Sequence, residues 1–303
     1  MSALQDEARE QSSSMRALSG QRMRSRRFDF VRAIAKTYPG KIGGVVIVLI
    51  ITLAIFAPII APFDPYAIDP VNRLQPPSSQ NFFGTDETGR DVFSRVIYGS
   101  RISLQVGLIA VSISMTLGVL FGLTAGFYGG VVDSLIMRFI DILLAFPGFL
   151  LALAIIAMLG PSLTNAMIAV GIGSAPGFAR LIRSVVLSIR NTDYVMAARV
   201  IGASNFHIMR NQVLRNVLAP MIVLGTLEFP LAILIAANLS FLGLGAQPPT
   251  PEWGAMVVSA RTFIRTEPWL INFPGIAIFI TVLGFNLFGN AVRDALDPRL
   301  RKA

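Results

Sequence analysis

Six stretches of this chain stay apolar over lengths that suit a bilayer, and no other feature restricts its fold as strongly. They run approximately Ile42–Ala61, Ile102–Gly126, Leu135–Leu159, Ala166–Leu187, Val217–Leu239 and Ile271–Ala291. Crossing about 30 Å of hydrocarbon takes roughly 20 helical residues at about 1.5 Å each. The expected fold is therefore an all-α, polytopic membrane protein with six transmembrane helices. Composition agrees: 53% of the 303 residues are hydrophobic and only 14% charged, a balance that a water-soluble domain does not readily sustain. The fourth stretch carries Gly171, Gly173, Pro176, Arg180 and Arg183, so its inner end is expected to leave the hydrocarbon before the arginines.

A net charge of +9 invites a nucleic-acid reading, but the positions of the basic residues argue for topology. Residues 1–41 are polar and basic with no apolar stretch of their own, which makes the first span an uncleaved anchor. With the N-terminus in the cytoplasm, the inner segments hold twenty Lys and Arg and the outer segments six. The positive-inside rule favours that orientation and puts both termini in the cytoplasm. The chain then divides into a tail (1–41), the first helix with an extracytoplasmic loop (42–101), a five-helix core (102–291) and a second tail (292–303). A cytoplasmic loop (188–216) interrupts the core.

Several chemistries are excluded. With no Cys, disulfides, thiolate metal sites and thiol catalysis fall away. A phosphate-binding P-loop needs Gly-Lys-Ser/Thr, yet Lys36, Lys41 and Lys302 are the only lysines: Lys36 precedes Thr37 but follows Ala35, and the other two precede Ile42 and Ala303. Ser174, as a nucleophile, needs a base, and the single His, His207, lies in the cytoplasmic loop. No triad or metal cluster remains, so catalysis by this chain is not expected.

Three soluble segments are patterned. In the loop, Ala197 to Ile201 suit a helix, Gly202 can close it in the left-handed conformation, and Ser204 or Asn205 can cap the next. Phe206, Met209 and Val213 then recur at helical spacing as an apolar stripe. Before the second span, Gly84 marks a turn and Thr85 or Asp86 can cap. Val92, Phe93, Val96 and Ile97 gather opposite Asp91 and Arg95, which predicts an interfacial helix. After the fifth span, residues 240–256 are stiffened by Pro248, Pro249 and Pro251, with Trp253 suited to the membrane interface. Within the second span, Gly118, Gly122 and Gly126 share one face and predict close packing inside the bundle.

Ala197-Ala198, three residues, then Gly202 resembles the Glu-Ala-Ala-x3-Gly loop of the integral-membrane subunits of bacterial ABC importers. Met196 stands where that family usually has Glu, and Arg215 where it often has Pro. From about Ile42 onward, and most distinctively in residues 84–104, 240–256 and 293–300, the chain is similar to the dipeptide/oligopeptide branch, specifically the second of its two permease subunits. Asn81 takes the place of a frequent His. The resemblance implies the ABC type I importer permease fold, a bacterial cytoplasmic (inner) membrane location and import of di- or oligopeptides. It also implies a second permease subunit, two ATP-binding cassette subunits that bind the ATP, and an extracytoplasmic solute-binding protein. No cofactor, metal or nucleic acid is expected on this chain. By the same resemblance Ala197, Ala198, Gly202, Ala203, Ser204, Asn205 and Phe206 form the ATPase-coupling loop. Arg90 and Trp253, in the outer segments, are candidates for contact with the binding protein.

At membrane depth, Glu228 is expected to face the bundle interior, because a charge near the midplane costs on the order of 3 kcal/mol unless sheltered. Glu228, Asn238 and Asn286 are candidate pathway residues. Arg138 and Asp141, three residues apart, are expected to pair. Pro147, Pro176, Pro230 and Pro274 are candidate bends. A rival reading is a proton-coupled secondary transporter using Glu228 or Asp141; it predicts internal repeats, and the sequence shows no convincing one.

Overall fold

The computed structural model describes residues 34–35 and 37–296. Most of the first predicted tail and residues 297–303, with the end of the closing motif, lie outside the described residues. Those described are helical, with one isolated antiparallel bridge between Thr85 and Asp91. The helices are α1 (Tyr38–Ile55), α2 (Ala57–Ile60), α3 (Val92–Tyr128), α4 (Gly130–Leu144), α5 (Gly148–Leu159), α6 (Leu163–Ile189), α7 (Asp193–Val200), α8 (Asn205–Ile208), α9 (Leu214–Phe241), α10 (Trp253–Ser259) and α11 (Trp269–Leu296).

Five of these, α1, α3, α6, the stretch Asn205–Phe241 and α11, are long and apolar enough to cross a membrane. The sixth expected span is broken: α4 and α5 meet at 91°. Pro147 sits at the N-cap of α5, where it has no N–H to carry the α4 ladder onward. Pro176, Pro230 and Pro274 lie within continuous helices instead. In α6 the helix also runs past Arg180 and Arg183 to Ile189, because both arginines find carboxylates on α4.

The centre of the bundle is the pairing of α3 with α6, the most extensive helix contact in the molecule. Its cause is the glycine row. A Cβ at Gly118 would strike Phe178, one at Gly122 the backbone of Ala179, and one at Gly126 would lie 2.8 Å from Val186 Cβ. Ser114 Oγ donates across the same seam to Gly171 O at 2.8 Å. The main apolar core surrounds this pair and takes in residues of α5, α9 and the loop. Outside it, α1 packs on α11, where a Cβ on Gly43 would lie 2.5 Å from Phe288 N.

At the end of the bundle where α3 begins, chain segments are knotted around buried charges. The predicted interfacial helix is the opening of α3 itself, so the boundary expected at 101/102 falls inside one helix. Its cap is Asp91, which accepts from Ser94 N at 2.7 Å and from Asn81 Nδ2 at 2.9 Å, rather than Thr85 or Asp86. Asp86 shapes the preceding turn, accepting from Thr88 N, Arg90 N and Arg90 Nε. Arg95 is buried rather than solvent-facing: Nη1 donates to Pro65 O and Pro249 O, and Nε lies 3.5 Å from Asp86. Trp253 is also internal, donating from Nε1 to Val96 O at 2.9 Å, while Gly99 leaves room for its ring. Glu252 caps α10 through Gly254 N and Ala255 N, and its burial pushes the carboxyl above the usual range despite those bonds. Arg90 and Trp253, at 6% and 2% exposure, are buried within this knot.

Candidate functional site

The loop between α6 and α9 is built by local backbone chemistry. Helix α7 ends at Val200 with Ile201 as its C-cap, and the chain reverses at Gly202, whose φ of +79° an L side chain adopts only with strain. Gly202 N donates to Arg199 O and Ala203 N to Ala198 O, each at 3.0 Å, which is the hydrogen-bond pair of a Schellman closure. Ser204 then caps α8, its Oγ accepting from His207 N at 3.3 Å. The backbone widens into a π-helical stretch, Met209–Val213, before entering α9 without interruption. Tyr194 OH accepts from Asn216 Nδ2 at 3.2 Å, tying the two arms, and Arg190 Nη1 donates to Gly126 O at 3.0 Å, tying the loop to the end of α3.

Burial divides the loop into two sets of residues. Val195, Ala198, Ile208 and Val213 are buried in the main core. Val200, Ile201 and Phe206 point away from it, exposed by 86%, 83% and 66%. Around 100–200 Å² of apolar surface on each such side chain is left to water, unusual for a cluster rather than a single residue. The expected stripe therefore splits: Met209 and Val213 turn inward with Ile208, and Phe206 turns outward. Ala197 and Asn205 are exposed, Ala198 is an anchor, and Ala203 packs against the core. Met196, in place of the carboxylate, is exposed by 54%, and Arg215 is exposed as well. Val200 and Ile201 were not singled out from the sequence. Their signal was two adjacent apolar residues before the Gly202 turn, a place where alternation and helical periodicity are both too short to read.

The candidate pathway residues are dispersed. Glu228 lies on α9, half-buried rather than enclosed, on a face shared at three- and four-residue spacing with Leu231, Ile235 and Asn238. Leu231 and Asn238 are exposed, so this face is open in the isolated chain. Asn286 is half-buried on α11. Asp141 pairs across the helices with Arg180 at 2.6 Å and not with Arg138, while the two oxygens of Asp133 accept from Nε and Nη2 along one edge of the Arg183 guanidinium at 2.5 and 2.6 Å. Two carboxylates of the broken α4 are thus strapped to α6, since a planar fork on a neighbouring helix offers better geometry than a three-residue neighbour.

Comparison with known proteins gives these features a context. The sequence model of a family described as "Binding-protein-dependent transport system inner membrane component" matches residues 118–302, and that of the "N-terminal TM domain of oligopeptide transport permease C" matches residues 29–77. The dipeptide transport system permease protein DppC of Alkalihalophilus pseudofirmus is 51% identical over 260 residues, 86% of either chain. A probable D,D-dipeptide transport system permease protein, DdpC of Escherichia coli, is 49% identical over 84% of this chain and 86% of its own. The glutathione transport system permease protein GsiD of Pectobacterium atrosepticum is 42% identical over 90% of this chain and 91% of its own. Among solved structures, an inward-facing MetNI methionine ABC transporter chain superposes with a TM-score of 0.54 at 19% identity, covering 67% of this chain and 97% of that one.

Proposed function

This chain belongs to the family of binding-protein-dependent transport system inner membrane components, and from that premise we propose that it is the permease half of an ATP-driven importer of short peptides. The observation that carries the reading is the loop tip: Val200, Ile201 and Phe206 are held out from a scaffold whose own core they do not enter. A rigid loop ending in exposed aliphatic and aromatic side chains suits insertion into a groove of another protein. That protein is an ATPase subunit, since the chain has no P-loop of its own. Closure of two such subunits on ATP would push the loop, and with it α6 and α9, which enter and leave it directly.

In this reading residues 188–216 form the coupling loop, with Gly202 and Ser204 setting its turn and Phe206 its anchor. Both termini lie on the same side as the loop, in the cytoplasm of a bacterium, and the knot around Asp86 and Arg95 faces outward toward the solute-binding protein. The open face of α9 with Glu228 and Asn238, and Asn286 on α11, contribute to the path shared with the second permease subunit. Peptide transport is favoured because the relatives named above carry dipeptide, D,D-dipeptide or glutathione transport in their names.

The test is co-expression with candidate ATPase, permease and binding-protein partners, followed by purification and uptake of radiolabelled dipeptides into vesicles. ATPase should co-elute with the wild type, and Phe206→Ala should reduce its retention at least about tenfold, as truncation of an interface anchor does. Glu228→Gln should lower uptake while leaving assembly intact. Full ATPase retention by Phe206→Ala would remove the socket, and wild-type uptake by Glu228→Gln would remove that residue from the path.

A further inference from the structure

Beside the apolar tip lies an open cleft of about 490 Å³ with opposite chemistry. It is lined by Phe127 and Tyr128 from the end of α3, Arg190 and Asn191 from the end of α6, and Arg199 and Asn205 from the loop helices. None of the six is acidic, and two are arginines. Scaffold contacts orient both cations. Arg190 Nη1 donates to Gly126 O and lies where a side chain on Gly129, at φ +68°, would have to go. Arg199 stands over the Phe127 ring, 5.6 Å from its centroid.

A guanidinium carries five N–H donors, so one carbonyl and one ring face leave most of this capacity unused. Among the described residues Arg90, Arg95, Arg180 and Arg183 all reach carboxylates, whereas Arg190 and Arg199 reach none. The surrounding loop does not supply one: residues 188–216 contain four arginines and a single acid, Asp193. Asp133 on α4 is close enough for its charge to act on Arg190, but both its oxygens are taken by Arg183, so the cleft keeps an excess of positive charge that attracts an anion.

Resting on the reading of the loop as an ATPase socket, we infer that the Arg190–Arg199 cleft receives an acidic side chain of the ATPase subunit. This Asp or Glu stands at the rim of the groove that takes Val200, Ile201 and Phe206. Paired guanidinium–carboxylate bonds fix direction as well as attraction, so the cleft sets the register in which the apolar tip enters. The tip supplies affinity and the cleft supplies orientation.

The experiment uses the full complex with its co-expressed ATPase subunits, reconstituted in phosphatidylcholine vesicles, and the variants Arg199→Lys, Arg199→Gln and Arg199→Glu. ATPase retention and solute-stimulated hydrolysis should fall at least about tenfold for Gln and further for Glu, while Lys, which keeps the charge but not the paired bonds, should lose less than Gln. A Lys substitution at one acidic position of the ATPase groove should rescue Arg199→Glu. Recovery of the permease pair in normal yield controls for folding, and Phe206→Ala reports separately on the socket. Loss with Phe206→Ala but normal behaviour of all three Arg199 variants overturns the acidic partner and leaves the socket standing. Normal behaviour of Phe206→Ala as well overturns both. Equal loss with Lys, Gln and Glu overturns the inference by reducing Arg199 to packing on Phe127. A defect that appears only when phosphatidylglycerol is added overturns it too, by giving the cleft to a lipid phosphate.

Discussion

Gly202 shows how far a single residue can be read and what it controls. No atom lies near enough to obstruct a Cβ there, so the reason for glycine is the +79° φ alone. Gly202→Val should cost about 1–2 kcal/mol of left-handed strain, while Gly202→Asn, which tolerates that region, should cost less. Thermal unfolding of the purified chain, with ATPase retention beside it, separates the two. Glu252 offers a pH test. Burial raises its carboxyl in the folded state, so folding binds a proton more tightly than the unfolded chain does. The resulting stability is complete below the unfolded value, near 4.3, and is lost as pH rises through the folded value. Unfolding midpoints should fall across that window, and Glu252→Gln should flatten the slope. Gly202 and Ser204 were legible because a turn followed by a cap is decided by neighbours in sequence. Asp91 was not, because Thr85, Asp86 and Asp91 are all competent caps, and the choice is made by Asn81 and the fold of the segment before it.

Among the elements, the α3–α6 seam and the broken α4–α5 pair show the two outcomes of pattern reading. The four-residue glycine spacing names its own face, and that face does pack closely, since the spacing is intrinsic to one helix. Gly122→Leu should force the helices apart at a cost of about 1–3 kcal/mol, and more where backbone rather than side chain is met. Reduced detergent-resistant assembly and a lower unfolding midpoint would register it, whereas an unchanged midpoint would mean the seam opens freely. The right-angle break was not legible. Hydropathy adds up composition and is blind to direction, and six prolines in the spans carry the same local signal. Only Pro147 falls between an arm strapped to α6 by Asp133–Arg183 and Asp141–Arg180 and a second arm that packs on α6 at Gly173 through Gly148 and Ala152. Those pairs connect residues 50 and 39 positions apart, a separation no periodicity reports.

For the whole molecule, span number and the helical class followed from apolar lengths, and the fold of solved ABC transporter chains is compatible with them at a TM-score of 0.54. Orientation is open to direct measurement because the chain contains no Cys. Single cysteines at Ser78 and Asn205 should be labelled by a membrane-impermeant maleimide from opposite sides, Ser78 from outside intact cells and Asn205 only after lysis. Labelling of both from one side would contradict the topology. What the sequence left unread at this scale was the knot of Asp86, Arg90 and Arg95: Arg95 reaches Pro249, 154 positions away, and burial of charge at such range has no local signature.

The division of the loop into anchors and tip has a further consequence. Val195, Ala198, Ile208 and Val213 are answerable to the core of this chain, whereas Val200, Ile201 and Phe206 are answerable only to whatever the loop meets. The two obligations fall on different positions, so mutation can act on one without disturbing the other. On the proposed coupling role, tip residues can drift alongside a changing ATPase groove, and transplanting those three from a relative should re-address the permease to that relative's ATPase without refolding it.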